Sequence, residues 1–115
     1  MSKSKGNRTQ RRAIEYLEKK GWEVAKCELG GKFTKEKDLF GLFDLVALEE
    51  TAYPRFIQVK TNRPMRKKLL LDFSNKYSKI ICMCMTWYDR DGWRIQTYHR
   101  GELFEEDFRK SRRSK

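Results

Sequence analysis

The chain has 115 residues, 38% of them hydrophobic and 37% charged, with a formal net charge of +11. That is the size of one domain, 1–115, with a modest core and a densely charged surface. No apolar run spans a bilayer and none follows the basic start MSKSKGNRTQRR, which argues against a membrane span or signal peptide and for a soluble, cytoplasmic protein.

The first predicted element is a helix over residues 8–20, with Ala13, Ile14 and Leu17 as its apolar stripe and Gly21 as its stop. WEVAKCE, 22–28, reads as a strand directing Trp22, Val24 and Ala25 inward. LGGKFTKEKDLFG, 29–41, has three glycines among its charges and reads as a mobile loop. Two strands follow, FDLVALEE and RFIQVKTN, joined through TAYP. RPMRKKLLLDFSNK reads as a helix after Pro64, with Met65, Leu69, Leu70 and Phe73 on one side. KIICMCMTWY is apolar on both faces, the pattern of a central strand covered on each side. A turn over 88–92, a strand WRIQTYHR, a short helix over 102–110 and a frayed SRRSK end complete the chain. This order predicts a single α/β domain, one central mixed β-sheet flanked by helices.

The positive charge is clustered. Lys3, Lys5, Arg8, Arg11 and Arg12 lie near the start, Arg63, Arg66, Lys67 and Lys68 in the middle, and Arg109, Lys110, Arg112, Arg113 and Lys115 at the end. Residues 1–7 and 109–115 read as flexible basic tails. Clusters agreeing in sign neutralise phosphates and release counterions, which points to nucleic acid. The competing reading is a solvated face. An anionic membrane fits less well, since no basic segment carries an apolar stripe. The three cysteines, Cys27, Cys82 and Cys84, form no CxxC pattern, and His99 is the only histidine. Buried strand thiols, rather than a disulfide or a zinc site, account for Cys82 and Cys84.

The hairpin 43–62, FDLVALEETAYPRFIQVKTN, places Asp44, Gln58 and Lys60 in otherwise apolar strands. Alternation puts Phe56, Gln58 and Lys60 on one face and Ile57 and Val59 on the other. Simple antiparallel pairing sets Asp44 across from Gln58 in one register and across from Lys60 in the next. Either way a carboxylate, an amide and an ammonium converge. An edge ion pair between Asp44 and Lys60 is the plain alternative, stabilising by about 1 kcal/mol at most.

The spacing D-(x13)-Q-x-K across a hairpin, behind a helix, resembles the PD-(D/E)xK nuclease superfamily, and within it the archaeal Holliday junction resolvases. KGNRTQRRAIEYLEKKGWEV resembles that family's basic start and first helix, and TKEKDLFGLFDLVAL its loop and acidic strand. The resemblance covers roughly residues 5–62. It implies a restriction-endonuclease-like αβββαβ core, with Asp44 as a metal-binding acid and Lys60 as the lysine that positions or activates water. Gln58 falls where the family has Asp or Glu, and Gln10, on the stripe of Ile14 and Leu17, where its first helix has Glu. Amides at both positions lower the charge offered to Mg²⁺ or Mn²⁺. Glu28, Glu36 and Asp38 are candidate replacements.

Two readings follow. In the first the chain is a metal-dependent, structure-specific DNA endonuclease resembling the Holliday junction resolvases. Asp44 and Gln58 then bind Mg²⁺ and Lys60 assists the attack. Lys5, Arg8, Arg11, Arg12, Lys35, Arg63, Arg66, Lys67 and Lys68 hold the backbone of branched or duplex DNA. The resemblance implies a homodimer with two spaced active sites, and roles in DNA recombination and repair. In the second, the same fold is a nucleic-acid-binding module with weak catalysis or none. RNA binding through Trp22, Trp87, Tyr88 and Trp93 is a third possibility.

Overall fold

A computed structural model describes residues 3–27 and 42–112, with side chains for 8–27 and 42–111. Helix α1 (Lys3–Lys19) opens the chain. It closes in a Schellman turn: Gly21, at φ 93°, donates its N–H to the Glu18 carbonyl, and the Trp22 N–H reaches the Leu17 carbonyl. Only glycine takes that φ without strain, and the turn returns Trp22 to the apolar cluster that holds Leu17.

The remaining elements are β1 (Glu23–Lys26), β2 (Leu45–Leu48), β3 (Arg55–Thr61), α2 (Lys67–Lys76), β4 (Ile81–Tyr88), β5 (Gly92–His99), β6 (Glu102–Asp107) and a 3-10 turn, Lys110–Arg112. The six strands lie side by side in chain order. Neighbours are antiparallel except β3 and β4, whose parallel pairing needs the crossover that α2 provides. The two helices cover opposite faces. Ala13 and Leu17 of α1 meet Leu45, Ala47, Ile57, Val59, Met83 and Met85. Leu70 of α2 meets Phe43, Cys82, Cys84 and Tyr98. Residues Cys82 to Thr86 of β4 are buried throughout, as the two-faced apolar run predicts for a central strand. Among the described helices none is long and apolar enough to cross a membrane.

Three local expectations need correction. Residues 102–107, expected in a short helix, form the edge strand β6, paired with β5 from His99↔Glu102 to Arg94↔Asp107. The run ELFEED has helix-forming residues, but the open edge of β5 offers a whole ladder of backbone bonds, and propensity yields to it. Of the residues expected on the inner side of α2, Leu70 is buried with Met65 and Phe73 packed near it, but Leu69 is 45% exposed; the helix starts at Lys67, and Ser74 takes the inward position one turn after Leu70. Parts of the expected tails belong to described elements: α1 already begins at Lys3, and Arg109 is buried; residues 1–2 and 113–115 lie outside the described residues.

Arg109 is held there by its own strand. Its guanidinium donates to both Asp107 carboxylate oxygens at 2.8 and 2.6 Å and lies 4.3 Å from the Tyr88 ring. Asp91 similarly accepts the Ser111 hydroxyl at 2.6 Å and its N–H at 2.8 Å. These bonds hold the Asp107 and Asp91 carboxyls below the usual carboxylate range, the first mainly through Arg109 and the second through Ser111. Glu105 is lowered too, chiefly by Arg94. Groups whose folded pKa is depressed stabilise the fold above their unfolded-state pKa and lose that contribution as pH falls through the folded value. The thermal midpoint is therefore expected to fall as pH drops below about 4, the ordinary carboxylate value, and Asp107→Asn to flatten part of that fall. An identical pH dependence in Asp107→Asn would contradict this assignment.

Candidate active site

The ladder between β2 and β3 pairs Leu45 with Ile57, Val46 with Phe56 and Ala47 with Arg55. Of the two registers the hairpin allows, this one, extended by a residue, brings Asp44 beside Gln58. The chain bends at Asp44. Its N–H donates to the Ile57 carbonyl at 2.8 Å, and its carboxylate Oδ2 accepts the Val59 N–H at 2.8 Å. The Asp44 carbonyl also accepts the Cys27 N–H at 2.8 Å, tying the bend to the end of β1. The bend turns Phe43 onto the α2 face, where it lies edge-on to Phe56 and Phe73 at centroid distances of 5.5 and 5.2 Å.

Ile57 and Val59 belong to the α1-side core and Phe56 to the α2-side core, so Gln58 and Lys60 project toward the α2 side, as alternation requires. Gln58 is buried, and its Oε1 has no hydrogen-bond partner among the described residues. Lys60 is half-buried at the next position along that face. Gln10 is placed differently. It sits half-buried beside the inner line of Thr9, Ala13 and Leu17, on a helix that covers the other face of β3. Thr9 rather than Gln10 joins α1 to the hairpin, its hydroxyl sharing a 2.8 Å bond with that of Thr61.

The sequence reading missed the continuation of this face across the sheet. Gln58 is level with Cys84, Cys84 with Gln96, and Gln96 with Glu105; one step on, Lys60, Thr86, Arg94 and Asp107 form a parallel row. Gln96 is fully buried with both amide atoms unpartnered among the described residues, as is the Tyr98 hydroxyl. An unsatisfied buried polar group costs about 1–3 kcal/mol, so these atoms need hydrogen-bonding partners, for which ordered water is the ordinary source. The signal was available: in WRIQTYH, Arg94 and Gln96 interrupt an apolar strand at alternate positions, just as Gln58 and Lys60 do. Burial pushes the Cys82 thiol up to about 12 and raises that of Cys84, which keeps both as neutral packing groups.

The basic clusters, far apart in sequence, gather where β3 and β4 end. Arg8, Arg11 and Arg12 are exposed on α1 next to Thr9, and the Arg12 guanidinium lies 4.5 Å from the Trp87 ring. Asn62, at φ 63°, ends β3; its N–H donates to the Trp87 carbonyl, and its side-chain amide exchanges hydrogen bonds with Asp89 at 3.0 and 3.1 Å. This turn sends Arg63 and Arg66 outward, both exposed. Arg109 and Lys110 dock on the neighbouring β4–β5 turn, where the Lys110 N–H meets the Asp91 carbonyl. Lys67 and Lys68 are exposed at the start of α2, Lys68 paired with Asp72 at 3.3 Å. The Lys5 side chain, Lys35 and the loop acids Glu28, Glu36 and Asp38 lie outside the described residues.

Could these residues hold a divalent cation? Among the described residues no three His, Cys, Asp or Glu side chains gather as a metal cluster. The site offers one carboxylate, Asp44, and one buried, unpartnered amide oxygen, Gln58 Oε1. Both are hard oxygen donors. Mg²⁺ is commonly held by one or two carboxylates with water and substrate phosphate completing its shell, and the pair fits that mode.

The class defined by this architecture is the restriction-endonuclease-type α/β fold. Among solved structures the chain is similar to that of Hjc, a Holliday junction resolvase from the archaeal hyperthermophile Archaeoglobus fulgidus. The two superpose with a TM-score of 0.56 at 17% sequence identity, over 88% of this chain and 87% of that one. At that identity the likeness is one of fold, and it agrees with the resemblance read from the hairpin. No family model matches the chain, and no curated protein sequence matches it significantly.

Proposed function

We propose that this protein is a metal-dependent DNA endonuclease that acts on branched DNA as a homodimer, a soluble, cytoplasmic enzyme of recombination or repair. The reading rests chiefly on one arrangement: Asp44, Gln58 and Lys60 brought onto the bend and α2 face of one hairpin, beside the sheet end where the basic clusters meet. The fold shared with the archaeal resolvase supports it.

When bound, Mg²⁺ or Mn²⁺ supplies a Lewis acid that stabilises charge developing on the scissile phosphate and lowers the pKa of water. Asp44 contributes the charged ligand and Gln58 a neutral oxygen. Lys60, as a positively charged donor, orients the attacking water or offsets charge on the phosphoryl oxygens. Arg8, Arg11, Arg12, Arg63 and Arg66 position the backbone without reading sequence. Lys60→Met is expected to retain junction binding and lose cleavage in Mg²⁺; equal cleavage by the variant would remove Lys60 from the mechanism.

A second reading, a binding module without strong catalysis, is favoured by a specific observation. The Asp44 carboxylate already has a structural task in accepting the Val59 N–H, and the other two candidate positions are the amides Gln10 and Gln58.

Both readings require the basic end of the sheet to carry DNA affinity. Arg63→Ala and Arg66→Ala are each expected to weaken binding of all sequences alike and reduce the slope of log K against log salt by about 1. Lys68→Ala should do somewhat less, since its exposed ammonium lies 3.3 Å from the Asp72 carboxylate, which competes with phosphate for it. Fluorescence anisotropy across a salt series measures both; unchanged slopes in the arginine variants would move the DNA elsewhere.

A further inference from the structure

A second polar site lies on the α1 face of the sheet, on the side away from Gln58 and Lys60. A cavity of about 220 Å³ opens there between the end of α1 and the sheet, and its lining includes Tyr16, Lys20, Trp22, Arg55, Thr97 and Glu106. Arg55 is its unusual member. The guanidinium lies half-buried, 4.4 Å from the Trp22 ring, and its Nη1 donates to Met83 Sδ at 3.5 Å. A thioether is a weak acceptor, whereas a guanidinium carries five N–H donors in a fork shaped for carboxylate or phosphate.

Among the described residues Arg55 makes no ion pair with a carboxylate; Glu49 and Glu106 act on it only at longer range. Burial works against its charge, and those acids offset part of the penalty. A half-buried guanidinium with unused N–H donors is a favourable place for an anion to bind. The Trp22 ring, 4.4 Å away, holds the guanidinium by a cation–π contact without using its N–H donors. Lys20 adds a second cation, its Nζ 5.1 Å from the Tyr16 ring. The Thr97 hydroxyl adds a donor. Glu106 is the one acid in the lining, so two cations face one carboxylate.

We propose that this cavity binds a small phosphate monoester, with its phosphate on Arg55 and Lys20 and its organic part beside the Tyr16 ring that lines the cavity. The site lies on the opposite face of the sheet from Gln58 and Lys60 and does not depend on nuclease activity.

Titration calorimetry of the full chain with inorganic phosphate, dTMP and acetate tests it. Phosphate and dTMP are expected to compete for one site, with acetate far weaker. Arg55→Gln should weaken dTMP binding about tenfold or more, the loss of a charge-assisted fork, and Lys20→Gln a few-fold. Lys60→Met should bind as the wild type does. Should Arg55→Gln fail to fold, Lys20→Gln, an exposed position, decides. The proposal is overturned if neither phosphate nor dTMP binds, or if acetate binds as tightly. It also fails if Lys60→Met loses binding while the Arg55 and Lys20 variants keep it, which would place the phosphate on the opposite face, beside Gln58 and Lys60.

Discussion

Asp44→Asn is expected to slow cleavage of a four-way DNA junction by about a hundredfold or more, the scale of losing a charged group from a phosphoryl-transfer site, with DNA affinity nearly unchanged. The asparagine Oδ1 can still accept the Val59 N–H that Asp44 accepts at 2.8 Å, so the bend keeps its hydrogen bond while the site loses its one described carboxylate. Asp44→Ala removes both. It should show the same kinetic loss plus destabilisation of about 1–3 kcal/mol from the unpaired backbone donor. The pair of variants separates two roles of one residue. If Asp44→Asn cuts like the wild type and only Asp44→Ala is impaired, Asp44 is a structural cap of the hairpin and the catalytic reading fails. Single-turnover cleavage with binding and thermal melts on the same preparations supplies the comparison.

The second large effect is on stability. Phe43→Ala is expected to cost about 3–5 kcal/mol in urea denaturation, a large part of the margin of a small domain. Phe43 is fully buried on the α2 face between Phe56 and Phe73, and it immediately precedes the bend that carries Asp44. Removing its ring leaves a cavity between α2 and the sheet and loosens the strand end that aims the carboxylate. Cleavage should therefore fall with stability. Leu69→Ala is the control: the side chain is exposed on the same helix layer, and its loss should change stability by only about 0.5 kcal/mol. A cost below about 1 kcal/mol for Phe43→Ala would mean that the aromatic cluster does not hold the bend.

These expectations also show where sequence was informative. Period-two alternation in RFIQVKT was enough to separate Gln58 and Lys60 from Ile57 and Val59, because a buried strand leaves side chains only two directions. The apolar run of β4 announced a central strand for the same reason. The register of the hairpin was left open between two choices, since the irregular chain around Asp44 is set by the Val59 and Ile57 bonds and by Phe43 packing, none of which has a local pattern. The edge strand β6 was hidden by residues that favour helix, because its partner ladder on β5 is a tertiary property. Thr9 passed unnoticed on α1 because its value lies in a bond to Thr61, 52 residues away. Gln96 is legible by the same alternation, since it interrupts the apolar strand WRIQTYH as Gln58 interrupts RFIQVKT. The gathering of three basic clusters at one end of the sheet emerges only when α1, the β3 exit and the C-terminal turn are folded together.

The most direct test of the central claim is cleavage of a labelled four-way DNA junction by the wild-type protein, with Mg²⁺ and with EDTA, against a linear duplex of matched sequence. The account predicts metal-dependent, symmetrically placed cuts in the junction and little or none in the duplex. Tight junction binding with no cleavage in Mg²⁺ or Mn²⁺ would contradict it, and would leave a nucleic-acid-binding module on a nuclease fold.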